Sequence, residues 1–270
     1  MRVTVEVDGD GLARVEMCRG SGNAIDLATA REMLDAVREC ETARAVLLTG
    51  RGRSFCVGGD LKEFAALSGE RLTGHLTDVT DALHEALRIL TALDAPLVVA
   101  AQGAVAGAGL GLVTAADVSL AATDASFTAA YTAIGYTPDA GVSWSLPRLV
   151  GPRRALDLLL TNRRVPAAEA LEIGLVSRIV APERLRTEAV ETARALARGA
   201  TGAYGVTRRL VRGALSAALD EHLDTEARHL AAAAASPQGR EGVTAFLAGR
   251  RPDFTRPESA RPESARPESA

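Results

Sequence analysis

A chain of 270 residues with 47% hydrophobic side chains can bury a substantial core as one large domain, with room for an appendage. Its formal net charge of −3 lacks the basic excess that a phosphate backbone demands, which excludes nucleic acid as the main partner. No stretch is both long and apolar enough for a membrane span, and residues 1–7 alternate like a strand instead of forming a secretory leader, so a cytoplasmic protein is expected.

Taken in chain order, strand-like runs fall at residues 3–7, 13–18, 45–49, 97–101 and 118–121, with helical patterns between most of them, which predicts an α/β fold. Between the second and third runs, Leu27, Ala30, Leu34 and Val37 recur at helical spacing, and either Asn23 or Asp26 is placed to cap that helix. Leu76, Val79, Leu83, Leu87 and Leu90 predict an amphipathic helix over residues 70–93, ending before Pro96. From Pro152 onward strands nearly vanish, apart from residues 176–180, and helical patterns begin at Arg184, Tyr204, Leu219 and Gln238. The expected organisation is a core over residues 1–200, a helical region over 201–254 and a tail over 255–270. Three copies of Arg-Pro-Glu-Ser-Ala make that tail too polar to bury anything, and it is expected to be disordered. Cys18, Cys40 and Cys56 form no CxxC pair and no metal-ligand spacing with the four histidines, so reduced buried thiols and no metal are expected.

Two segments carry candidate chemistry. Residues 50–64 (GRGRSFCVGGDLKEF) follow a buried strand, hold four glycines within ten positions, and then open a helix. Residues 102–112 (QGAVAGAGLGL) also follow an apolar strand and lead into a helix, which places backbone amides at a helix N-terminus. Either loop alone also suits a tight turn or close packing, and neither is a dinucleotide-binding GxGxxG in context.

Together and at this separation, the two loops resemble those of the crotonase (enoyl-CoA hydratase/isomerase) superfamily, residues 55–63 most specifically, and the likeness spans residues 3–254. The resemblance implies a ββα spiral core with a C-terminal helical trimerisation region, a homotrimer or dimer of trimers, and a coenzyme A thioester as substrate, with no further cofactor. It implies an oxyanion hole formed by the backbone amides of Gly59 and Ala108, with Val57, Gly58, Asp60, Leu61 and Gly107 bordering the substrate. Preorganised donors of that kind stabilise an enolate oxygen more than a neutral carbonyl. Lys62 and Arg250 or Arg251 are candidates for CoA phosphates, with solvated charge the plainer reading.

In hydratases of the family two glutamates hold the attacking water, and the matching positions here are Gly111 and Tyr131. Neither supplies a carboxylate. Asp139, in a Pro-Asp-x-Gly run ahead of Trp144 and Leu-Pro-Arg, resembles the working Asp of the 1,2-epoxyphenylacetyl-CoA isomerase and enoyl-CoA isomerase branch. Asp139 is therefore expected to be an acid/base that shifts a double bond, the alternative being a turn or helix cap. Tyr131 is expected to line the acyl pocket. A hydratase-like lyase, a decarboxylase using Tyr131 or a carboxylate such as Glu63, and a non-catalytic acyl-CoA-binding subunit are the competing readings. Trp144 and Cys56 are expected to be packed in the core, and His84 to be a solvated helix residue without a role.

Overall fold

The computed structural model describes residues 1–20 and 22–255, so the Arg-Pro-Glu-Ser-Ala repeats lie outside the described residues. The chain opens with β1 (Val3–Val7) and β2 (Leu12–Met17), an antiparallel pair, followed by α1 (Leu27–Arg38) and β3 (Ala45–Gly50). Next come α2 (Leu61–Ala65), α3 (Gly69–Ala92), β4 (Leu97–Ala101), β5 (Ala104–Ala106), α4 (Ala108–Thr114), β6 (Val118–Ala122) and β7 (Ser126–Thr128). Two adjoining helices, α5 (Val142–Val150) and α6 (Pro152–Thr161), precede β8 (Val165–Pro166), α7 (Ala167–Glu172) and β9 (Arg178–Val180). Four helices complete the described chain: α8 (Leu185–Ala197), α9 (Thr201–Gly213), α10 (Leu219–Ala235) and α11 (Pro237–Leu247).

Among the described residues, β1-β2-β3-β4-β6-β9 form one sheet and β5-β7-β8 a smaller one. From β2 onward the large sheet is parallel and its strands are added in chain order, so each crossover lays a new turn beside the last. β4 and β6 each hand the chain directly to a short strand of the small sheet, giving a repeating strand-strand-helix spiral.

Both faces of the large sheet are covered, and this accounts for the unbroken apolar runs of β3 and β4. Val46, Leu48, Val99 and Ala101 join the main core with Leu83 and Leu90 of α3. Leu47, Val98, Ala100 and Leu120 face the other way, onto Ala189, Ala193 and Ala197 of α8. These alanines recur every four residues, and their small side chains let the helix lie close on the sheet.

Of the two candidate caps, Asp26 serves α1: its carboxylate accepts from the Thr29 amide at 2.7 Å. Asn23 does something else. Fully buried in a left-handed conformation (φ 48°), it donates through Nδ2 to the carbonyls of Arg51, Ser54 and Phe55 at 2.9–3.0 Å, clamping the first glycine-rich loop from inside. Asn23→Ala leaves three carbonyls short of a donor and is expected to cost about 2 kcal/mol, read as a fall of roughly 4–8 °C in a thermal melt.

Further on, α9 is tied to the core by Arg208, which is buried, donates to the carbonyls of Leu90 and Ala95 at 2.9 Å, and pairs with Asp117 at 2.7 Å. Arg212 meets the same carboxylate at 3.0 Å. No helix among the described residues is long and apolar enough to cross a membrane. Cys40 and Cys56 are buried free thiols, whereas Cys18, just past the end of β2, is only partly covered.

Candidate active site

The two glycine-rich loops meet along a short parallel register. Cys56 bridges to Val105, and the Ala106 amide donates to the Cys56 carbonyl at 2.9 Å. Counting onward from that bridge, Gly59 and Ala108 occupy equivalent places, each three residues past its bridged partner. Each also follows a glycine in the left-handed region, Gly58 at φ 91° and Gly107 at φ 51°, which turns the next amide away from its own strand. The backbones nearly touch: a Cβ on Gly58 would lie 3.1 Å from the Ala106 carbonyl oxygen and 3.4 Å from the Gly107 Cα. Ala108 is the first residue of α4, so its amide has no acceptor within the helix. On the first loop, the Ile25 and Asp60 amides carry the bonds between Ile25 and the Gly58–Asp60 stretch, so that pairing does not use the Gly59 amide. The Phe64 ring lies directly beneath Gly59, where a Cβ would come within 2.6 Å of it.

The second half of the site comes from the stretch between β7 and α5. The Tyr131 hydroxyl donates to Asp139 Oδ1 at 2.5 Å, and its ring stands 4.0 Å from where a Cβ on Gly107 would sit. Burial, and then the neighbouring Asp139 charge, push the Tyr131 hydroxyl far above the ordinary tyrosine range. It stays protonated and acts as a donor. The Cys56 thiol, also buried and close enough to feel the Asp139 charge, is pushed up to about 12 and is no nucleophile at neutral pH.

Asp139 does not cap α5. The N-cap position is Gly141, no side chain bonds to that helix end, and the Asp139 backbone carbonyl accepts from the Val142 amide at 3.0 Å. Its carboxylate is thus left to Tyr131. Ala140, buried and left-handed at φ 49°, closes the space beside position 111: a Cβ on Gly111 would lie 2.5 Å from both the Ala140 Cβ and its carbonyl oxygen. No side chain fits there without moving that turn.

The remaining candidates separate. Val57 and Leu61 are exposed, and Lys62 projects to solvent from α2. The Asp60 carboxylate is occupied: it caps α2 through the Lys62 amide at 3.0 Å and binds Arg19 at 2.6 Å, and that partner holds its pKa below the usual carboxylate range. Glu63 faces His75 at 3.5 Å, between α2 and α3. Arg250 is paired with Glu241 at 2.7 Å.

Two expectations are corrected. Trp144 is 51% exposed, with the Arg148 guanidinium stacked 3.9 Å above its ring, because α5 presents this face to a groove instead of to the core. His84 is half-buried and bonded, its Nε2 accepting from the Ala140 amide at 3.2 Å. Helical periodicity placed His84 beside the apolar stripe, and nothing local signalled that the residue-140 turn would cross it.

A cavity of about 1060 Å³ occupies that groove, between α3, α5 and α9; Ala140 and Gly141 line it, whereas Gly59, Ala108, Tyr131 and Asp139 do not. A smaller cleft of about 510 Å³ runs along the first loop, lined by Val57, Ser54, Gly22 and two arginines that composition did not single out, Arg53 and Arg164. No three His, Cys, Asp or Glu side chains gather as a metal-ligand set among the described residues.

Two glycine-turned amides thus sit on adjoining loops of a parallel α/β spiral, with the Tyr131–Asp139 pair bordering the second loop. Residues 8–257 match the family model described as enoyl-CoA hydratase/isomerase, and the chain belongs to that family, within the crotonase superfamily. It is 38% identical over 248 residues to the "Probable enoyl-CoA hydratase" of Rhodobacter capsulatus, covering 91% of this chain and 95% of that one. Over 228 residues it is 36% identical to the 1,2-epoxyphenylacetyl-CoA isomerase of Escherichia coli, covering 83% and 86%. The crystal structure of an enoyl-CoA hydratase from Bacillus anthracis superposes with a TM-score of 0.87 at 28% identity, covering 94% and 99%. The protein is thus an acyl-CoA enzyme by family, and the ββα spiral expected from residues 55–63 is its fold.

Proposed function

We propose that this enzyme shifts the double bond of an enoyl-CoA thioester, with Asp139 moving the proton and the Gly59 and Ala108 amides holding the thioester oxygen. The observation that carries this reading is the Tyr131–Asp139 contact: a carboxylate spared from helix capping, gripped by a buried hydroxyl at 2.5 Å, next to the loop that ends in Ala108. Asp139 takes a proton from C2 of a 3-enoyl thioester. The electron pair passes to the thioester oxygen, giving a dienolate, and Asp139 returns the proton at C4, leaving the double bond between C2 and C3. Neither water nor a redox cofactor enters this balance, so coenzyme A is carried by the substrate alone.

Several features weigh against the alternatives. Gly111 has no room for a water-holding carboxylate, and Tyr131 is kept neutral, which disfavours it as a base in hydration. The cleft between Arg53 and Arg164 suits the phosphates of coenzyme A, with Val57 and Gly58 bordering the path inward. Further copies of the chain are assigned to the outer faces of α10 and α11, where Leu230 is 72% and Phe246 84% exposed. Sedimentation equilibrium would show a trimer or hexamer, and a monomer would remove that assignment.

The direct experiment is incubation with hex-3-enoyl-CoA in ordinary and in heavy water. The expected product has unchanged mass in ordinary water and, because Asp139 carries the abstracted proton from C2 to C4, gains at most a partial complement of deuterium at C4 in heavy water. A water adduct instead would make the enzyme a hydratase, and thioester binding without turnover across a panel of acyl-CoAs would make it a binding subunit.

A further inference from the structure

Asp139 and Ala140 share a peptide unit that is fixed at both ends. Its carbonyl, on Asp139, accepts from the Val142 amide at 3.0 Å within the turn, and its N–H, on Ala140, donates across the fold to His84 Nε2 at 3.2 Å. The residue so held is not in a relaxed state. Ala140 sits at φ 49°, a left-handed conformation that costs a non-glycine residue about 1 kcal/mol or more and persists only where the surroundings over-determine it. Gly141 follows at φ 74°, so two left-handed residues in succession aim the turn, and Ala140 is packed against Gly111.

We infer that His84 is a positioning residue for Asp139: as a neutral imidazole with its proton on Nδ1, it anchors the Ala140 amide and so fixes the direction in which the carboxylate leaves the backbone. The inference rests on the assignment of Asp139 as the acid/base. Its chemistry follows from donor and acceptor counting. An amide N–H needs an acceptor, and Nε2 accepts only in the Nδ1–H tautomer. Tyr131 restrains the carboxylate itself and His84 the peptide behind it, from α3, an element remote in sequence from both. Loss of the anchor lets the strained turn relax and misplaces the base, and a displacement of about 1 Å at a reacting group costs up to roughly a hundredfold in rate.

The test combines kinetics with the tautomer. His84→Ala is expected to lower kcat for hex-3-enoyl-CoA by roughly tenfold to a hundredfold with KM changed by less than about threefold, because binding is not what it disturbs. His84→Gln, whose Oε1 can accept from the same amide, is expected to recover most of that loss, and His84→Leu, of similar bulk without an acceptor, to recover none. In the wild-type protein, ¹⁵N NMR at mildly alkaline pH should show the His84 ring, assigned by its disappearance in His84→Gln, as the Nδ1–H tautomer. An Nε2–H ring, or equal kcat in the Gln and Leu variants, would overturn the inference. Should kcat stay normal in His84→Ala while Asp139→Asn is inactive, the positioning role falls and the acid/base assignment stands. Normal turnover in Asp139→Asn removes that assignment whatever His84 does, and the NMR result still reports on the anchor by itself.

Discussion

Asp139→Asn is expected to lower kcat for double-bond migration by roughly 10²–10⁴-fold, the usual worth of a positioned general base, while acyl-CoA binding stays within about twofold. A thousandfold loss corresponds to about 4 kcal/mol of barrier. The substitution is nearly isosteric, and the Asn carbonyl oxygen still accepts from the Tyr131 hydroxyl, so the contact seen at 2.5 Å has a neutral replacement. What disappears is only the capacity to take a proton from carbon. Binding should survive because the donors assigned to the thioester oxygen, Gly59 and Ala108, are main-chain groups on other segments. Isothermal titration with an unreactive saturated acyl-CoA reads binding, and single-turnover conversion of hex-3-enoyl-CoA reads the chemistry. Turnover unchanged from the wild type would take Asp139 out of the mechanism.

The second large effect is expected from Ala108→Pro, which should reduce kcat/KM by roughly 10²–10³-fold, the measured worth of one oxyanion-hole donor in comparable sites. Proline is well tolerated at this position for a structural reason. Ala108 opens α4, where the amide lacks an intrahelical acceptor and where the fixed φ of proline suits the helix. The fold should lose little, with stability changed by less than about 1 kcal/mol. The ring replaces the amide hydrogen with a methylene, so the donor is lost and the oxygen's seat is narrowed, both in the direction of lower activity. Ala108→Gly, which keeps the N–H, is expected to stay active. Equal activity in the Pro and Gly variants would show that this amide touches no developing charge.

Much of this arrangement is legible in the amino-acid order, and the parts that are not share physical causes. β3, β4 and β6 are readable because they are buried on both faces, so their residues form largely apolar runs, interrupted in β6 by Ser119. The small sheet is not readable: β5 and β7 are three residues long, β8 is two, and no periodicity can show itself over so few positions. α5 is masked by its own Pro147. Both capping candidates ahead of α1 looked alike, and only burial and backbone angle separate Asp26, which caps, from Asn23, which clamps.

In the site, the glycine pairs identify the two loops because of close backbone approach at Gly58 and a positive φ at both Gly58 and Gly107. Asp139 and Tyr131 stand out separately, yet their bond depends on how the chain between them folds back, through Gly135 at φ 75°. His84 was invisible for the same reason: its partner is a main-chain amide 56 residues away, and main-chain amides have no identity in a sequence. Trp144 misled because large aromatics are usually buried, whereas here its ring lines a groove that the described chain leaves open.

All of the proposed chemistry depends on two amides polarising one carbonyl, and vibrational spectroscopy reads that polarisation without any turnover. Difference infrared spectra of butyryl-CoA labelled with ¹³C at the thioester carbonyl, bound to the enzyme, should show the carbonyl stretch moved to lower frequency than in water, with the shift reduced in Ala108→Pro. A bound thioester whose carbonyl stretch stays at or above its aqueous frequency, unaffected by that substitution, would contradict the account.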